Sequence, residues 1–292
     1  MRISAIEPSG SLVMKRSPEI ETGFFAPCFK LYWPRERFRL LDWNIDRGLK
    51  LGGILEFLES ANADLILLQE VDLHARRTPQ RNIAREIAQK LQMNYVFGRE
   101  FQELTQGSRN SLAYHGQATL SRWPLSDPRI LRFRRQSNFW KPHWFLPDVE
   151  PFQERLGGRM ALVTELNLGG RKLASYNLHL ESRGDDTIRC AQLGECLNDV
   201  RGFRSDTALV IAGDFNLDMS RSSAAHVMAQ VGFRSTAAMN PAQTQPSRFL
   251  FERGRTIDWI FLRGPVREAN FTVHSSVFAS DHFPLSVIVN LT

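Results

Sequence analysis

Leu209-Val210-Ile211-Ala212-Gly213-Asp214-Phe215-Asn216 is an apolar run that stops at a glycine and then presents a carboxylate and an amide two residues apart. A short apolar run bounded by a turn signal reads as a strand buried on both faces. In an extended chain residues i and i+2 share a face, so Asp214 and Asn216 can meet one bound atom, and Gly213 permits close approach of backbone or substrate. Taken alone, the stretch is equally an ordinary strand followed by an Asp/Asn turn. What decides the reading is recurrence: apolar strands that close on polar groups appear again and again along this chain.

Toward the amino terminus, Phe38-Arg39-Leu40-Leu41-Asp42-Trp43 alternates as a strand and ends in Asn44-Ile45-Asp46, while Asp64-Leu65-Ile66-Leu67-Leu68 ends in Gln69-Glu70. Helical spacing follows each, over 51–60 (Leu51, Ile54, Leu55, Leu58) and 82–91 (Ile83, Ala84, Ile87, Ala88, Leu91). Short strands are expected at 95–98 and 115–120, and a hairpin over 160–168 and 171–180 turns at Gly169-Gly170 and ends in Asn177-Leu178-His179. Helices are expected at 185–200 and 224–231. A strand over 256–262 contains Asp258, another covers 271–278, and Ser280-Asp281-His282 precedes a closing strand at 285–291.

Residues 1–37, with Pro8, Pro18, Pro27 and Pro34, read as an extension or irregular edge segment, and 38–292 as the domain. Between 130 and 159 regular structure fades into a segment rich in arginines and aromatics, including Arg132, Arg134, Arg135, Trp140 and Trp144.

The formal net charge of +6 and pI near 9.5 favour polyanions as partners: nucleic acid, phosphorylated metabolites or an anionic surface. Only six of the 37 basic residues are lysine, a bias toward the residue that grips phosphate with a planar fork, although a GC-rich genome produces it too. No apolar run reaches the roughly 20 residues of a membrane span. Glu7, Pro8 and Lys15 interrupt the place of a secretory apolar core. Cys28, Cys190 and Cys196 fit no metal spacing and suggest reduced thiols, so a cytoplasmic monomer is expected.

Each polar strand ending has a plain alternative: Asn44 a turn residue, Glu70 a helix-capping charge, His179 a satisfied half-buried histidine, Asp281 an N-cap. Asp258 between Ile257 and Trp259 is different, because a carboxylate there is costly to bury without a partner, and His282 is the natural one. Together Asn44, Glu70, Asp214 and Asn216 offer hard oxygen donors that suit Mg2+ or Mn2+. Asp258 would hold His282 in one tautomer with its other nitrogen facing a phosphoryl group. That set describes metal-assisted attack of water on a phosphorus ester.

The ordered motifs Trp43-Asn44-Ile45-Asp46, Gln69-Glu70-Val71, Gly116-Gln117-Ala118-Thr119-Leu120-Ser121-Arg122, Asn177-Leu178-His179-Leu180, Gly213-Asp214-Phe215-Asn216, Ile257-Asp258-Trp259 and Ser280-Asp281-His282-Phe283-Pro284 resemble the endonuclease/exonuclease/phosphatase superfamily. The resemblance implies an α/β, deoxyribonuclease I-like four-layer sandwich: two packed, mainly antiparallel or mixed sheets flanked by helices. It also implies that Glu70 binds the metal with Asn44 and Asp46, that Asp281 is a further metal-side acid, and that Asn216 holds the phosphate or metal. Asp214 would position or deprotonate water, Asp258 would orient His282, and His179 would contact the phosphate or assist the leaving group. Either Asp214 or His282 is the base.

His179-Leu180-Glu181-Ser182-Arg183-Gly184 is similar to the tyrosyl-DNA phosphodiesterase branch, although Phe215 stands where that branch has threonine. The expected activity is a phosphodiesterase acting on nucleic acid, with Arg134, Arg135 and Trp140 binding substrate. The alternatives are a sphingomyelinase-like or inositol-phosphate hydrolase of the same fold, and a catalytically silent binding protein.

Overall fold

The computed structural model describes residues 19–27, 36–108, 110–143, 145, 147, 154–237, 242–247 and 254–292. Cys28, Trp144 and most of the expected amino-terminal extension lie outside them. In chain order the strands are β1 (Ile20–Gly23), β2 (Arg37–Arg47), β3 (Leu65–Leu73), β4 (Asn94–Glu103), β5 (Ala113–Ser121), β6 (Leu125–Arg132) and β7 (Arg155–Gly157). They continue with β8 (Met160–Asn167), β9 (Lys172–His179), β10 (Ala208–Asp214), β11 (Arg234–Ser235), β12 (Asp258–Arg263), β13 (Val266–Val273) and β14 (Leu285–Leu291). The helices are α1 (Leu51–Ala61), α2 (Ile83–Leu91), α3 (Asp186–Asp199) and α4 (Ser223–Gln230).

One sheet runs β1-β4-β5-β3-β2-β14-β13, with β7 pairing β4, and the other runs β11-β12-β10-β9-β8-β6. Three cores separate the layers. Leu40, Leu65, Leu67, Val96, Met160, Leu162, Val210, Ala212, Ile260, Leu262 and Val287 pack sheet against sheet. Leu41, Trp43, Ile66 and Leu68 instead meet α1 and α2 through Ile54, Leu58, Ile83 and Ile87. Leu209 and Ile211 meet α3 and α4 through Leu193, Leu197 and Met228. The strands read as unbroken apolar runs because alternate residues enter different cores and both faces are covered. The expected four-layer architecture is what the chain adopts.

Local chemistry sets the helix boundaries. The side chains of Asn82, Asp185 and Ser222 accept from the first-turn amides of α2, α3 and α4, and α1 closes on Asn62 in the left-handed conformation.

Some expected elements move. The strand expected at 271–278 begins at Val266 and stops at Val273, with a bulge between Ala269 and Thr272 where Asn270 has φ 52°. As a sheet edge it carries Arg267, Glu268 and Asn270, whose polarity hides it from an apolar pattern. The strand at 95–98 extends to Glu103 through a bulge at Glu100, and β6 keeps regular structure as far as Arg132. From the segment read as an extension or edge, β1 pairs antiparallel with β4.

Candidate active site

Period-two alternation carries one face of every central strand from oil to water. Leu40 is followed on that face by Asp42 and Asn44, Leu67 by Gln69, Leu173 by Ser175, Asn177 and His179, and Ala212 by Asp214. β2 with β3, and β9 with β10, are parallel pairs, so their carboxyl ends fall at the same end of their sheets. In one sheet the register sets Met160 beside His179, His179 beside Asp214 and Asp214 beside Asp258. Beneath them Gln69 donates from Nε2 to Asp42 and to Asn177, both at 2.8 Å, and Asn177 donates to the Leu68 and Ala118 carbonyls of the opposite sheet. This polar layer pairs most of its buried groups, leaving Asp42 Oδ2 and Gln69 Oε1 without a partner among the described residues, and it fixes one sheet over the other below the cleft.

Asp258 and His282 meet as the sequence suggested: Nδ1 lies 2.9 and 3.0 Å from the two carboxylate oxygens. The turn carrying His282 is latched to β2, since Trp43 donates to the His282 carbonyl at 2.9 Å and Ser280 to the Asn44 carbonyl at 2.7 Å. Thr244 holds the Ile257 and Asp258 amides. His282 Nε2 points to Asp214, 3.8 Å away, and the Gln245 amide lies 2.9 Å from the same nitrogen. Burial disfavours the imidazolium, but Asp258 and then Asp214 and Asp281 push the His282 pKa up to about 10. Asp214 is itself raised, first by burial and then by Asp258. Its other neighbours are Asn44 Nδ2 at 3.2 Å, His179 Nε2 at 3.7 Å and the Asn216 amide at 2.8 Å.

On the opposite sheet a bulge in β3 puts Glu70 at φ 52° and turns it into the cleft, and a second bulge in β2 gives Asp46 and Arg47 positive φ. Such strained residues persist only where their surroundings hold them, and they gather at functional sites. Asn44 Nδ2 spans Glu70 at 3.4 Å and Asp214 at 3.2 Å, tying the two sheets together. Asp46 is raised by burial and then by Asp281 and Glu70, three carboxylates at one mouth that the Arg47 guanidinium, paired with Asp46 and 3.9 Å from Glu70, offsets in part. Acidic and histidine groups here are placed to bind a metal: mutual repulsion among carboxylates is what a cation relieves, and Glu70, His115 and His179 offer donor atoms within 4.8 Å of one another.

The aromatic segment behaves differently from expectation. Trp140 is 4% exposed and donates its indole N–H to Glu181, packing on Phe101, so its ring is not offered to a base. The physical reason is Glu181: fully buried, its carboxylate also accepts from the Ser137 and Arg183 amides, which docks the segment onto the protein. Arg132 belongs to β6 and spends its guanidinium on the Arg99, Glu100 and Gly158 carbonyls. Arg134 and Arg135 are exposed, and their backbone amides, not their side chains, hold Glu195.

Replacing both arginines with alanine therefore leaves stability within about 0.5 kcal/mol. If they contact nucleic acid, the salt slope of binding flattens by about one to two units. Binding measured across a salt series decides the matter, and an unchanged slope removes both from the interface.

Sequence reading missed Glu100, His115 and Arg159, all buried near the cleft. Glu100 lies in a bulge that breaks the alternation of β4, and His115 precedes a motif whose apolar part drew the eye. Arg159 gives no pattern signal at all. Burial would raise the Glu100 carboxyl, but Arg159, 2.8 Å away, and His179 hold it down at about 2.

The family model for the Endonuclease/Exonuclease/phosphatase family matches residues 43–282. No curated protein sequence matches the chain. Among solved structures, an endonuclease/exonuclease/phosphatase from Beutenbergia cavernae superposes with TM-score 0.63 at 16% identity, covering 88% of this chain and 72% of that one. TDP2 from C. elegans gives 0.58 at 19% identity over 87% and 75%, and the human Nocturnin catalytic domain with bound sulfate 0.64 at 17% over 88% and 96%. At such identities the likeness is one of fold. Among the described residues, no helix is long and apolar enough to cross a membrane.

Proposed function

The chain belongs to the endonuclease/exonuclease/phosphatase family, and on that premise we propose that it is a divalent-metal-dependent phosphodiesterase acting on nucleic acid. The observation that carries this reading is the meeting of Asp214, held between His282 and His179, with Glu70 and Asn44 from the other sheet. Glu70 and Asp46 would hold Mg2+ or Mn2+ through the hard oxygens these ions prefer, with Asp281 as a further acid; Asn44, whose Nδ2 faces Glu70 and whose Oδ1 accepts from the Asp46 amide, would join them by turning its oxygen to the ion. When bound, the cation supplies neutralisation of charge on the phosphate.

The remaining roles belong to the protein's own side chains. With His282 protonated well past neutrality, the imidazolium is an N–H donor to a phosphoryl oxygen and is not the base. Asp214, a carboxylate whose basicity is raised, takes the proton from the attacking water. Asp258 fixes the His282 ring, Asn216 would hold the phosphate through its side chain, and His179, with Nε2 3.7 Å from Asp214, would assist the leaving group. The net charge of +6 and the exposed Arg134 and Arg135 favour a polyanionic substrate.

A panel of single- and double-stranded DNA, abasic DNA, 5′-tyrosyl DNA, RNA, sphingomyelin and inositol phosphates, each with and without chelator, tests the proposal. Nucleic acid is expected to be cut, chelation to abolish turnover, and Mg2+ or Mn2+ to restore it. Glu70→Gln is expected to raise the metal concentration needed before it lowers the melting temperature. Full turnover in excess chelator rejects the mechanism, while cleavage of lipid or inositol phosphate alone moves the assignment to those substrates.

A further inference from the structure

Next to Asp214 lies a pair of histidines that the proposed hydrolysis only half uses. His115, on β5, is fully buried and lies across from Asp72 of β3. Its Nδ1 is 3.3 Å from Asp72 Oδ1, and Asp72 is in turn gripped by both arms of Arg77 at 2.7 Å. A carboxylate so pinned accepts only, so Nδ1 carries the proton and Nε2 keeps its lone pair. That Nε2 is buried without a hydrogen-bond partner among the described residues, a condition that native proteins resolve with a water, an ion or a catalytic role.

His179, from the facing sheet, also has a carboxylate on its Nδ1 side, although there the contact is an ion-pair distance and not a hydrogen bond. Its Nδ1 is 3.5 Å from Glu100, and Glu100 is pinned by Arg159 at 2.8 Å. One donor atom each from His115, His179 and Glu70 falls within a 4.8 Å circle. Bonds of about 2.0–2.2 Å put opposed donors roughly 4 Å apart, so a small closure of these side chains surrounds one ion.

We propose that Glu70, His115 and His179 form a nitrogen-ligated site for a divalent first-row transition ion of the zinc, cobalt or manganese class. It is distinct from the all-oxygen position on the Asn44 side of Glu70. Two imidazoles and one carboxylate select such ions over Mg2+, and a carboxylate behind each imidazole is the usual support of a metal-binding histidine. The proposal deepens the functional reading and shares Glu70 and His179 with it, so an ion held by His179 would take that imidazole's part on the leaving group; Asp214 lies 3.7 Å from His179 Nε2.

Its test needs no substrate. The metal-stripped full chain is titrated with Co2+ in excess Mg2+, following the visible ligand-field spectrum and the heat of binding. Stoichiometric binding that Mg2+ does not displace is expected, and affinity should fall about 100-fold or more in His115→Gln and His115→Ala. Pulsed electron paramagnetic resonance of the wild-type chain loaded with Mn2+ should show imidazole nitrogen coupling, a readout that survives if neither variant folds. Binding unchanged in a folded His115 variant, or a wild-type spectrum of oxygen ligation alone, overturns the site. Mg2+-dependent hydrolysis is assayed separately: turnover without Co2+ binding sinks this site and spares the function, and Co2+ binding without turnover on any phosphodiester does the reverse.

Discussion

Asp214→Asn and His282→Ala each lower turnover by about 10²–10⁴-fold, the range of a lost general base or oxyanion partner. The two side chains are 3.8 Å apart and act on one transition state, so the double variant should lose far less than the product of the single losses. Their pH behaviour separates them. On the proposed mechanism, activity needs Asp214 ionised and His282 protonated. The wild-type profile therefore rises with pH above the ordinary carboxylate range, because Asp214 is raised, and falls as His282 loses its proton near pH 10. The limbs belong to the coupled pair, but removing one member removes its limb. Asp214→Asn should flatten the acid limb and His282→Ala the alkaline one. Steady-state turnover across pH, with folding confirmed by circular dichroism, provides the check, and near-native turnover in either single variant removes that residue from the mechanism.

The second large effect is structural. Gly213→Ala should destabilise the fold by about 3 kcal/mol or more, at the upper end for a single methyl group. A Cβ at this position would lie 1.9 Å from the Leu178 carbonyl oxygen, and Gly213 has φ +140°, which an L side chain rarely adopts. The carbonyl cannot retreat, because β9 and β10 are paired in parallel register with Gly213 opposite Leu178. Both strands also present proposed catalytic groups one residue further on, His179 and Asp214. Chemical denaturation should give a lower midpoint with little change in slope, and a variant as stable as the parent would mean that the two strands can part without cost.

The candidate site residues are legible in sequence because each motif that carries them is local. Gly213, Asp214 and Asn216 lie within one strand ending, and Asp258 betrayed itself by being charged among Ile257 and Trp259. That His282 would partner Asp258 was a guess from chemistry, confirmed by a contact across 24 residues of sequence. Trp140 failed for the opposite reason. Its neighbours in sequence, arginines and aromatics, suggested a surface that stacks bases, yet its partner Glu181 lies 41 residues away and buries it.

What the sequence determined by itself was periodicity and the chemistry at strand ends: apolar runs covered on both faces and polar groups at the carboxyl ends of the central strands, the four layers coming from the family resemblance that the ordered motifs carry. Only the tertiary structure decided which of those groups meet. The approach of Glu70 and Asn44 from one sheet to Asp214 and His179 from the other depends on the strand order, on bulges that turn Glu70 and Glu100 out of alternation, and on the Gln69–Asn177 layer that fixes the two sheets face to face. A bulge shifts every later side chain by one position, and no local pattern announces it. For that reason Glu100 gives no sequence signal, while His115 and Arg159 lie outside any motif; burial with charge on every side is what marks all three.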